Sequence, residues 1–221
     1  MSSSSVMQEA ATVPEGRILR YTFKERICHW VTGTAYVYCL MTGLAFYSPY
    51  LFWMATVLGG GPTTRFWHPW AGLVFFVGII WMYAMWSKEM VATTEDRQWN
   101  QNIKYYITNQ DHLLPPQGRF NAGQKMFYWV MVYSTIILLI TGVIMWFPEL
   151  IAGRAHWLLT IIIPVHVVAA LVTIAAFIIH VYMGMLMVPG SFKVIVLGHD
   201  DDAWAKQNHR LWFDKAKGKK Q

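Results

Sequence analysis

The sequence contains few of the features on which soluble, disulfide-stabilised or nucleic-acid-binding proteins depend. Only two of its 221 residues are cysteines, Cys28 and Cys39, and they lie too far apart along one predicted helix to form a disulfide. No C-x-x-C-H segment is present for covalent haem attachment. No basic stripe or nucleic-acid-binding motif accompanies the net charge of +6, so we expect no nucleic-acid partner. Charged residues make up only 14% of the chain against 55% apolar residues, which indicates an integral membrane protein.

Four apolar runs are each long enough to cross ~30 Å of hydrocarbon. They predict membrane helices at about 27–49, 66–86, 125–147 and 157–188. The last run is longer than a span requires, so either its outer end protrudes or Pro164 separates a short interfacial piece from the membrane helix. The predicted fold class is all-α, an integral membrane four-helix bundle.

Polar segments divide the chain around these runs. The Ser-rich residues 1–16 have no apolar core and predict a disordered cytoplasmic lead, not a signal peptide. Residues 17–190 are then the transmembrane domain, within which 87–124 should be a loop with at most one surface helix. Residues 191–221 predict a cytoplasmic tail whose aromatic residues dock onto the membrane surface or the bundle.

Lysine and arginine are distributed unevenly between the loops. All but Arg65 and Arg154 fall in the N-terminal segment, the loop between helices two and three, or the tail. Cytoplasmic loops carry the excess of positive charge, so both termini are predicted to be cytoplasmic. Helices one and three then run outward, and helices two and four run inward.

Four histidines lie within the apolar helices, where an ionisable side chain is costly and marks a functional site. His29 begins helix one, His68 begins helix two, and helix four carries both His166 and His180. The two on helix four face the same side within ~40° and are separated by ~21 Å along the axis. Depth therefore pairs His29 with His180 near the cytoplasmic face and His68 with His166 near the outer face.

Two bis-histidine pairs at different depths favour two haem b groups, because an iron with two imidazole ligands is a closed electron carrier. Zinc would need three or four ligands in one place. A small residue also follows each histidine by one helical turn, leaving room for a flat porphyrin, although small residues are common in membrane helices. These residues are Gly33, Gly72, Ala170 and Gly184. The remaining alternative is a non-redox membrane anchor whose histidines only form hydrogen bonds between helices.

Short motifs accompany these histidines. They are Arg26-Ile27-Cys28-His29-Trp30, His68-Pro69-x-x-Gly72, Asn121-Ala122-Gly123-Gln124-Lys125, and His166 with His180-x-Tyr182. Together, over about residues 17–212, they resemble the cytochrome b (gamma) subunit of respiratory, quinone-linked formate dehydrogenase.

The resemblance implies roles for individual residues. His68 and His166 would be the axial ligands of the outer haem, and His29 and His180 those of the inner haem, in agreement with the depth argument. A quinone pocket beside the inner haem would include Asn121, Gly123 and His180. Asn121 with Gln124 also matches a helix capping box, and the two roles are compatible.

The resemblance also implies the function of the whole chain. Electrons would come from an iron-sulfur (beta) subunit on the outer side, supplied by a molybdenum- or tungsten-containing catalytic (alpha) subunit that oxidises formate. They would pass through two b haems to menaquinone or ubiquinone, reduced near the cytoplasmic face. The chain would thus be the electron-transfer and quinone-reducing subunit of an oxidoreductase complex, with no formate chemistry and no catalytic residue of its own.

Location, assembly and alternatives follow from the same resemblance. The protein would lie among the lipids of the bacterial cytoplasmic (inner) membrane, and a higher oligomer of the heterotrimer is compatible with it. Asp111 and His112 are candidates for a proton relay to the quinone. The cytochrome b subunit of a membrane-bound hydrogenase or a thiosulfate reductase stays open as an alternative.

Overall fold

Helices account for most of the chain. The computed structural model describes residues 3–108, 110, 113–151 and 156–218. Four long helices are α2 (Phe23–Tyr47), α4 (Gly61–Trp86), α7 (Ala122–Trp146) and α8 (Leu159–Tyr182). Shorter ones are α1 (Ser3–Ala11), α3 (Trp53–Val57), α5 (Thr94–Gln101), α6 (Ile103–Ile107), α9 (Ser191–Leu197), α10 (Asp202–Asn208) and α11 (Arg210–Ala216). Single 3-10 turns lie at Pro49–Leu51, Pro148–Ile151 and His156–Leu158.

Three helices within the described residues are long and apolar enough to cross a membrane. They are Gly61–Trp86, Ala122–Trp146 and Leu159–Met187, and they fall on three of the four predicted spans. The fourth prediction falls on α2, a helix of 25 residues. Its length would reach ~37 Å, but its first turns carry charge and its interior carries threonine and tyrosine, so it is less apolar than the other three.

The last long helix contradicts one of the two alternatives weighed for residues 157–188, the break at Pro164; protrusion of its outer end stays a prediction. It runs through Pro164 without interruption, so the proline does not divide it. It continues into a π-helix at Met183–Met187, a conformation that often occurs beside functional sites.

The chain forms two units. The first, here called the charged unit, comprises Met1–Arg26, Met85–Tyr128 and Ile179–Gln221, and the second, the span unit, comprises Ile27–Ala84 and Trp129–Ile178. The sequence of the span unit includes only three charged residues, Arg65, Glu149 and Arg154. This separation is expected of a membrane protein, because charge inside hydrocarbon is costly.

Close helix packing defines the span unit. The Cβ of any residue replacing Gly78 would overlap Thr32 Oγ1, so only glycine allows α2 and α4 this approach. The buried Tyr36 hydroxyl donates a hydrogen bond to Thr173 at 3.3 Å, and the Tyr36 ring contacts Phe75 and Phe177. These contacts tie α2 to both α4 and α8.

The charged unit joins the two ends of the chain. Strand β1 (Arg17–Leu19) pairs antiparallel with β2 (His199–Asp201), a small exception to the all-α prediction. The side chain of Arg20 is buried, and its guanidinium lies 5.3 Å from Trp204 and 5.5 Å from Trp212. The aromatic residues of the tail therefore pack against Arg20 within the charged unit.

Two segments contain more structure than predicted. Residues 1–16, expected to be disordered, contain α1, and Glu9 accepts a hydrogen bond from the backbone N–H of Phe23. Residues 87–124 contain two short helices, α5 and α6, where at most one was expected. In both cases contacts to other parts of the chain stabilise segments whose own composition is polar.

Candidate functional site

His68 on α4 is held by a threonine of the neighbouring helix α2. Thr42 Oγ1 lies 2.7 Å from His68 Nδ1 and donates its own hydrogen to the Tyr38 carbonyl at 2.8 Å. A hydroxyl has one hydrogen to donate, so Thr42 accepts the Nδ1–H of the ring. This leaves the Nε2 lone pair of His68 available to a metal.

His166 on α8 is held in the same way by α7. Thr141 Oγ1 lies 2.8 Å from His166 Nδ1 and donates to the Ile137 carbonyl at 2.7 Å. His166 and His68 belong to the same unit, and each is held at Nδ1 by a threonine of the preceding long helix. The pairing of these two histidines as ligands of one haem stays a prediction.

A glycine follows each of these threonines and borders the held ring. A Cβ at Gly43 would lie 3.7 Å from His68 Cε1, and one at Gly142 would lie 3.4 Å from His166 Cε1. These positions have room for a methyl group at most. A Thr-Gly pair thus contacts each ring: the pair on α2 contacts His68, and the pair on α7 contacts His166.

The residues one turn after the histidines offer the space that a flat group needs. A Cβ added at Gly33, Gly72 or Gly184 would meet nothing within 4 Å, although each of these glycines is half-buried. A porphyrin requires such a cleft beside its axial ligands. The residues present therefore fit haem b: His68 and His166 each have an available ring nitrogen, and the glycines one turn after the histidines border open space.

His180 belongs to the charged unit and stacks on Phe127 of α7. Their ring centroids are 4.3 Å apart and the planes differ by 8°, so Phe127 fixes the plane of the imidazole. His29 lies in the span unit and is half-buried. The pairing of His29 with His180 stays a prediction.

The start of α7 contains the other predicted site residues. The Asn121 side chain accepts from the Gln124 N–H at 2.9 Å, while the Gln124 side chain accepts from the Asn121 N–H at 3.0 Å, which confirms the capping box. A Cβ at Gly123 would lie 3.4 Å from the indole of Trp99. Trp99 of α5 is fully buried, so Gly123 allows α5 to cover the first turn of α7.

Ion pairs fix the basic residues around this turn. Lys125 contacts Asp96 at 2.7 Å, and Arg119 contacts Glu25 at 2.8 Å and Glu89 at 2.9 Å. Burial disfavours the charge of Glu25, but the charge of Arg119 together with hydrogen bonds from Trp86 and the Thr22 N–H holds the pKa of Glu25 below its ordinary value. Arg119 therefore forms ion pairs within the charged unit. Asp111 and His112, the candidate proton relay, lie outside the described residues.

Comparison with known proteins decides the family. Residues 20–196 match the family described as prokaryotic cytochrome b561. The chain belongs to the prokaryotic cytochrome b561 family. It is 30% identical over 207 residues to the cytochrome b556(Fdn) subunit of the nitrate-inducible formate dehydrogenase of Escherichia coli K12, covering 92% of this chain and 95% of that protein.

Two further relatives agree with that match. The cytochrome b556(fdo) subunit of formate dehydrogenase of the same strain is 31% identical over 196 residues, covering 89% of this chain and 92% of that protein. The formate dehydrogenase cytochrome b556 subunit of Haemophilus influenzae is 29% identical over 197 residues, covering 89% and 82%. The resemblance inferred from the histidine motifs is confirmed.

Membership of a cytochrome b561 family implies haem b, and the donor set agrees. Among the described residues, no group of three or more histidine, cysteine or acidic side chains converges as a metal site would require. His68 and His166 instead each have one ring nitrogen hydrogen-bonded to a threonine and the other available, which suits an iron with two axial ligands.

Four residues beside the site were not predicted from the sequence: Thr42, Thr141, Phe127 and Trp99. The two threonines had a detectable signal, a Thr-Gly dipeptide in each of α2 and α7 followed 25 or 26 positions after the threonine by a histidine. Phe127 and Trp99 had none, because aromatic residues are abundant throughout this chain.

Proposed function

We propose that this chain is the membrane cytochrome b subunit of a formate dehydrogenase and holds two b haems. The observation that carries the proposal is the pair His68 and His166, each held at Nδ1 by a buried threonine and available at Nε2. Relatives named as formate dehydrogenase cytochrome b556 subunits over most of the chain support it and favour it over a hydrogenase or thiosulfate reductase partner.

The second haem is proposed to lie between His29 and His180. The stacking of His180 on Phe127 supports this assignment, because a fixed ring plane is what an axial ligand needs. The half-buried Gly33 and Gly184, whose Cβ positions face open space, provide similar support.

The haems would supply one-electron transfer when bound. The chain's residues orient the axial rings, keep the environment apolar and separate the two sites along α8. Electrons would enter from an iron-sulfur partner of a molybdenum or tungsten enzyme outside the cytoplasm and reach menaquinone or ubiquinone at the inner side. Moving each electron against ~100 mV stores ~2.3 kcal/mol.

The quinone is proposed to bind at the first turns of α7, near Asn121, Gly123 and His180. Gly123 and Phe127 are four residues apart and share one face of α7, and Phe127 contacts His180. That arrangement supports one pocket along this face, which the indole of Trp99 closes at Gly123.

Absorption spectra test the haem proposal directly. In the purified complex, His68→Ala and His166→Ala should each remove the same spectral component, and His180→Ala or His180→Met should remove the other. A matched control is His199→Gln in the tail strand β2, which should leave both components intact. The proposal would be refuted if all four ligand variants kept both haems, or if the wild-type protein had no Soret band.

Substitutions at Asn121 test the quinone pocket separately from the helix cap. Asn121→Asp keeps an acceptor for the Gln124 N–H, whereas Asn121→Ala loses both the cap, at about 1 kcal/mol, and the side-chain amide. If the amide binds quinone, both variants keep two reducible haems but fail to reduce quinone. Normal quinone kinetics in Asn121→Asp would limit Asn121 to the cap.

The proposed location is the bacterial cytoplasmic membrane with both termini inside. The pairing of β1 with β2 supports termini on a common side, because these strands precede α2 and follow α8. A common side requires an even number of crossings. With three apolar spans already present, α2 is then the fourth.

A further inference from the structure

We propose that Thr42 and Thr141 are positioning residues that fix the protonation and orientation of the outer axial histidines and so lower the midpoint potential of that haem. The inference rests on the proposed function, since it concerns the haem held by His68 and His166. Its basis is the pair of Thr-His hydrogen bonds at 2.7 and 2.8 Å.

The direction of these hydrogen bonds follows from the hydroxyl hydrogen. Each threonine donates to the carbonyl four residues earlier, at 2.8 Å for Thr42 and 2.7 Å for Thr141. With the hydroxyl hydrogen on the carbonyl, only the lone pairs remain for the imidazole, and the ring is then the donor through Nδ1–H. The arrangement favours the tautomer that leaves the Nε2 lone pair for iron over the one that carries hydrogen on Nε2.

Burial of the two threonine hydroxyls strengthens the preference for this direction of the hydrogen bonds. Thr42 is 0% exposed and Thr141 is 6% exposed, so water is a poor substitute for either hydroxyl. A buried Nδ1–H without its acceptor would lose a hydrogen bond at full desolvation cost. The adjacent Gly43 and Gly142 let each ring approach close enough to form the bond.

The same threonine–histidine hydrogen bond, with a glycine after the threonine, occurs twice in the structure, which argues against coincidence. One copy joins α2 to α4 and the other joins α7 to α8, with threonine and histidine 26 and 25 residues apart. Both copies serve ligands of the same proposed haem. A partner that accepts from Nδ1 raises the basicity of the ligating nitrogen and so stabilises ferric over ferrous iron.

Removing the hydroxyl should therefore raise the potential of one haem only. Thr42→Val and Thr141→Val, which keep the side-chain shape, are compared with Thr42→Ser and Thr141→Ser, which keep the hydroxyl. Loss of the hydrogen-bond partner of a metal-ligating histidine typically changes metal affinity by about 10–100-fold. A tenfold change in the ferric-to-ferrous preference corresponds to ~59 mV for one electron, so we expect an upward shift of about this size with valine and little shift with serine.

The experiment is a potentiometric titration of the purified complex followed by optical spectra, with electron paramagnetic resonance of the ferric haems as a second readout of ring orientation. Thr135→Val is the matched control, because Thr135 is a buried threonine of α7 that also donates to the carbonyl four residues earlier. It should leave both potentials unchanged.

The outcomes separate this inference from the proposed function. Two haems with wild-type potentials and ferric spectra in both valine variants would overturn the positioning role while leaving the proposed function intact. Shifts of different haems by Thr42→Val and Thr141→Val would instead overturn the pairing of His68 with His166. Equal shifts with valine and serine would also overturn the hydrogen-bond explanation, because serine retains the hydroxyl.

Discussion

Gly78 marks the place where a single methyl group would disturb the span unit. A Cβ there would overlap Thr32 Oγ1, and that hydroxyl donates to the Cys28 carbonyl at 2.6 Å, so the threonine side chain cannot turn away freely. We expect Gly78→Ala to cost about 1–3 kcal/mol, the usual penalty of overpacking. Thermal unfolding in detergent measures it.

A second substitution shows whether the cost arises from this contact. In Gly78→Ala combined with Thr32→Ala the nearest clash is relieved, because the closest remaining side-chain atom, the Cβ, is 2.9 Å away. The double variant should recover part of the lost stability. Additive losses would contradict the contact as the cause.

His209 should make the stability of the charged unit depend on pH. The side chain is 3% exposed and its Nδ1 donates to the Gly118 carbonyl at 2.8 Å. Burial, together with the charge of Arg20, lowers the pKa of His209 well below 6.5. The unfolded chain then takes up the proton more readily, so stability is complete above pH 6.5 and declines as the pH falls from 6.5 toward the lowered pKa.

The measurement compares wild type with His209→Asn, whose side-chain amide can replace the Nδ1–H donor. The wild-type loss should be steeper below pH 6.5 by at most about 1.4 kcal/mol per pH unit, the contribution of one proton. Parallel profiles would show that His209 is not the group responsible.

Individual residues differ in how far the sequence could reveal them. The four histidines stood out because an ionisable group is rare in an apolar helix. Thr42 and Thr141 did not, because threonine is ordinary in such helices and its role depends on which side chain the adjacent helix brings within 3 Å. That information lies in the rotation and register of two helices, which hydropathy does not specify.

At the scale of the elements, α5 depends on one buried ion pair for its docking. Asp96 caps α5 by accepting from the Thr93 N–H at 2.8 Å and also binds Lys125 at 2.7 Å; the two charged side chains are only 8% and 11% exposed. Lys125→Met leaves a buried carboxylate without its counter-charge and should cost on the order of 3 kcal/mol.

The loss should appear as faster proteolysis within residues 87–118 and as a lower melting temperature. The exposed Lys88→Met on the same segment is the control and should change neither. Adding Asp96→Asn to Lys125→Met removes the unpaired charge while keeping a capping oxygen, and should restore most of the stability. Failure to do so would contradict the ion-pair explanation.

The long helices were predictable and the short ones were not, for a physical reason. A membrane span is specified by its own apolar length, so α4, α7 and α8 begin or end within a few residues of their predicted bounds, apart from the earlier start of α4 at Gly61. The short helices α1, α5 and α6 have polar sequences. They are stabilised by distant contacts such as that of Trp99 with Gly123, which composition cannot show.

For the whole molecule, the β1–β2 pair makes the topology testable. Its register joins Ile18 to Asp200, so under the proposed topology we expect both ends of the membrane domain on one side of the bilayer and α2 as a fourth crossing, although it is the least apolar of the four long helices. Single cysteines at exposed positions report this through labelling with a membrane-impermeant thiol reagent in intact cells. Tyr50, 92% exposed, is the position between α2 and α4.

We expect Tyr50→Cys to react in intact cells, and Gln8→Cys, Arg97→Cys and Lys215→Cys to react only after the cells are made permeable. The native Cys28 and Cys39, buried and half-buried, are replaced by serine to remove background. If Tyr50→Cys and Gln8→Cys reacted from the same side, α2 would not cross the membrane and His29 could not lie at a depth different from that of His68. Both the fourth span and the inner haem site would then fail together, because each depends on α2 carrying its histidine through the bilayer from the cytoplasmic end.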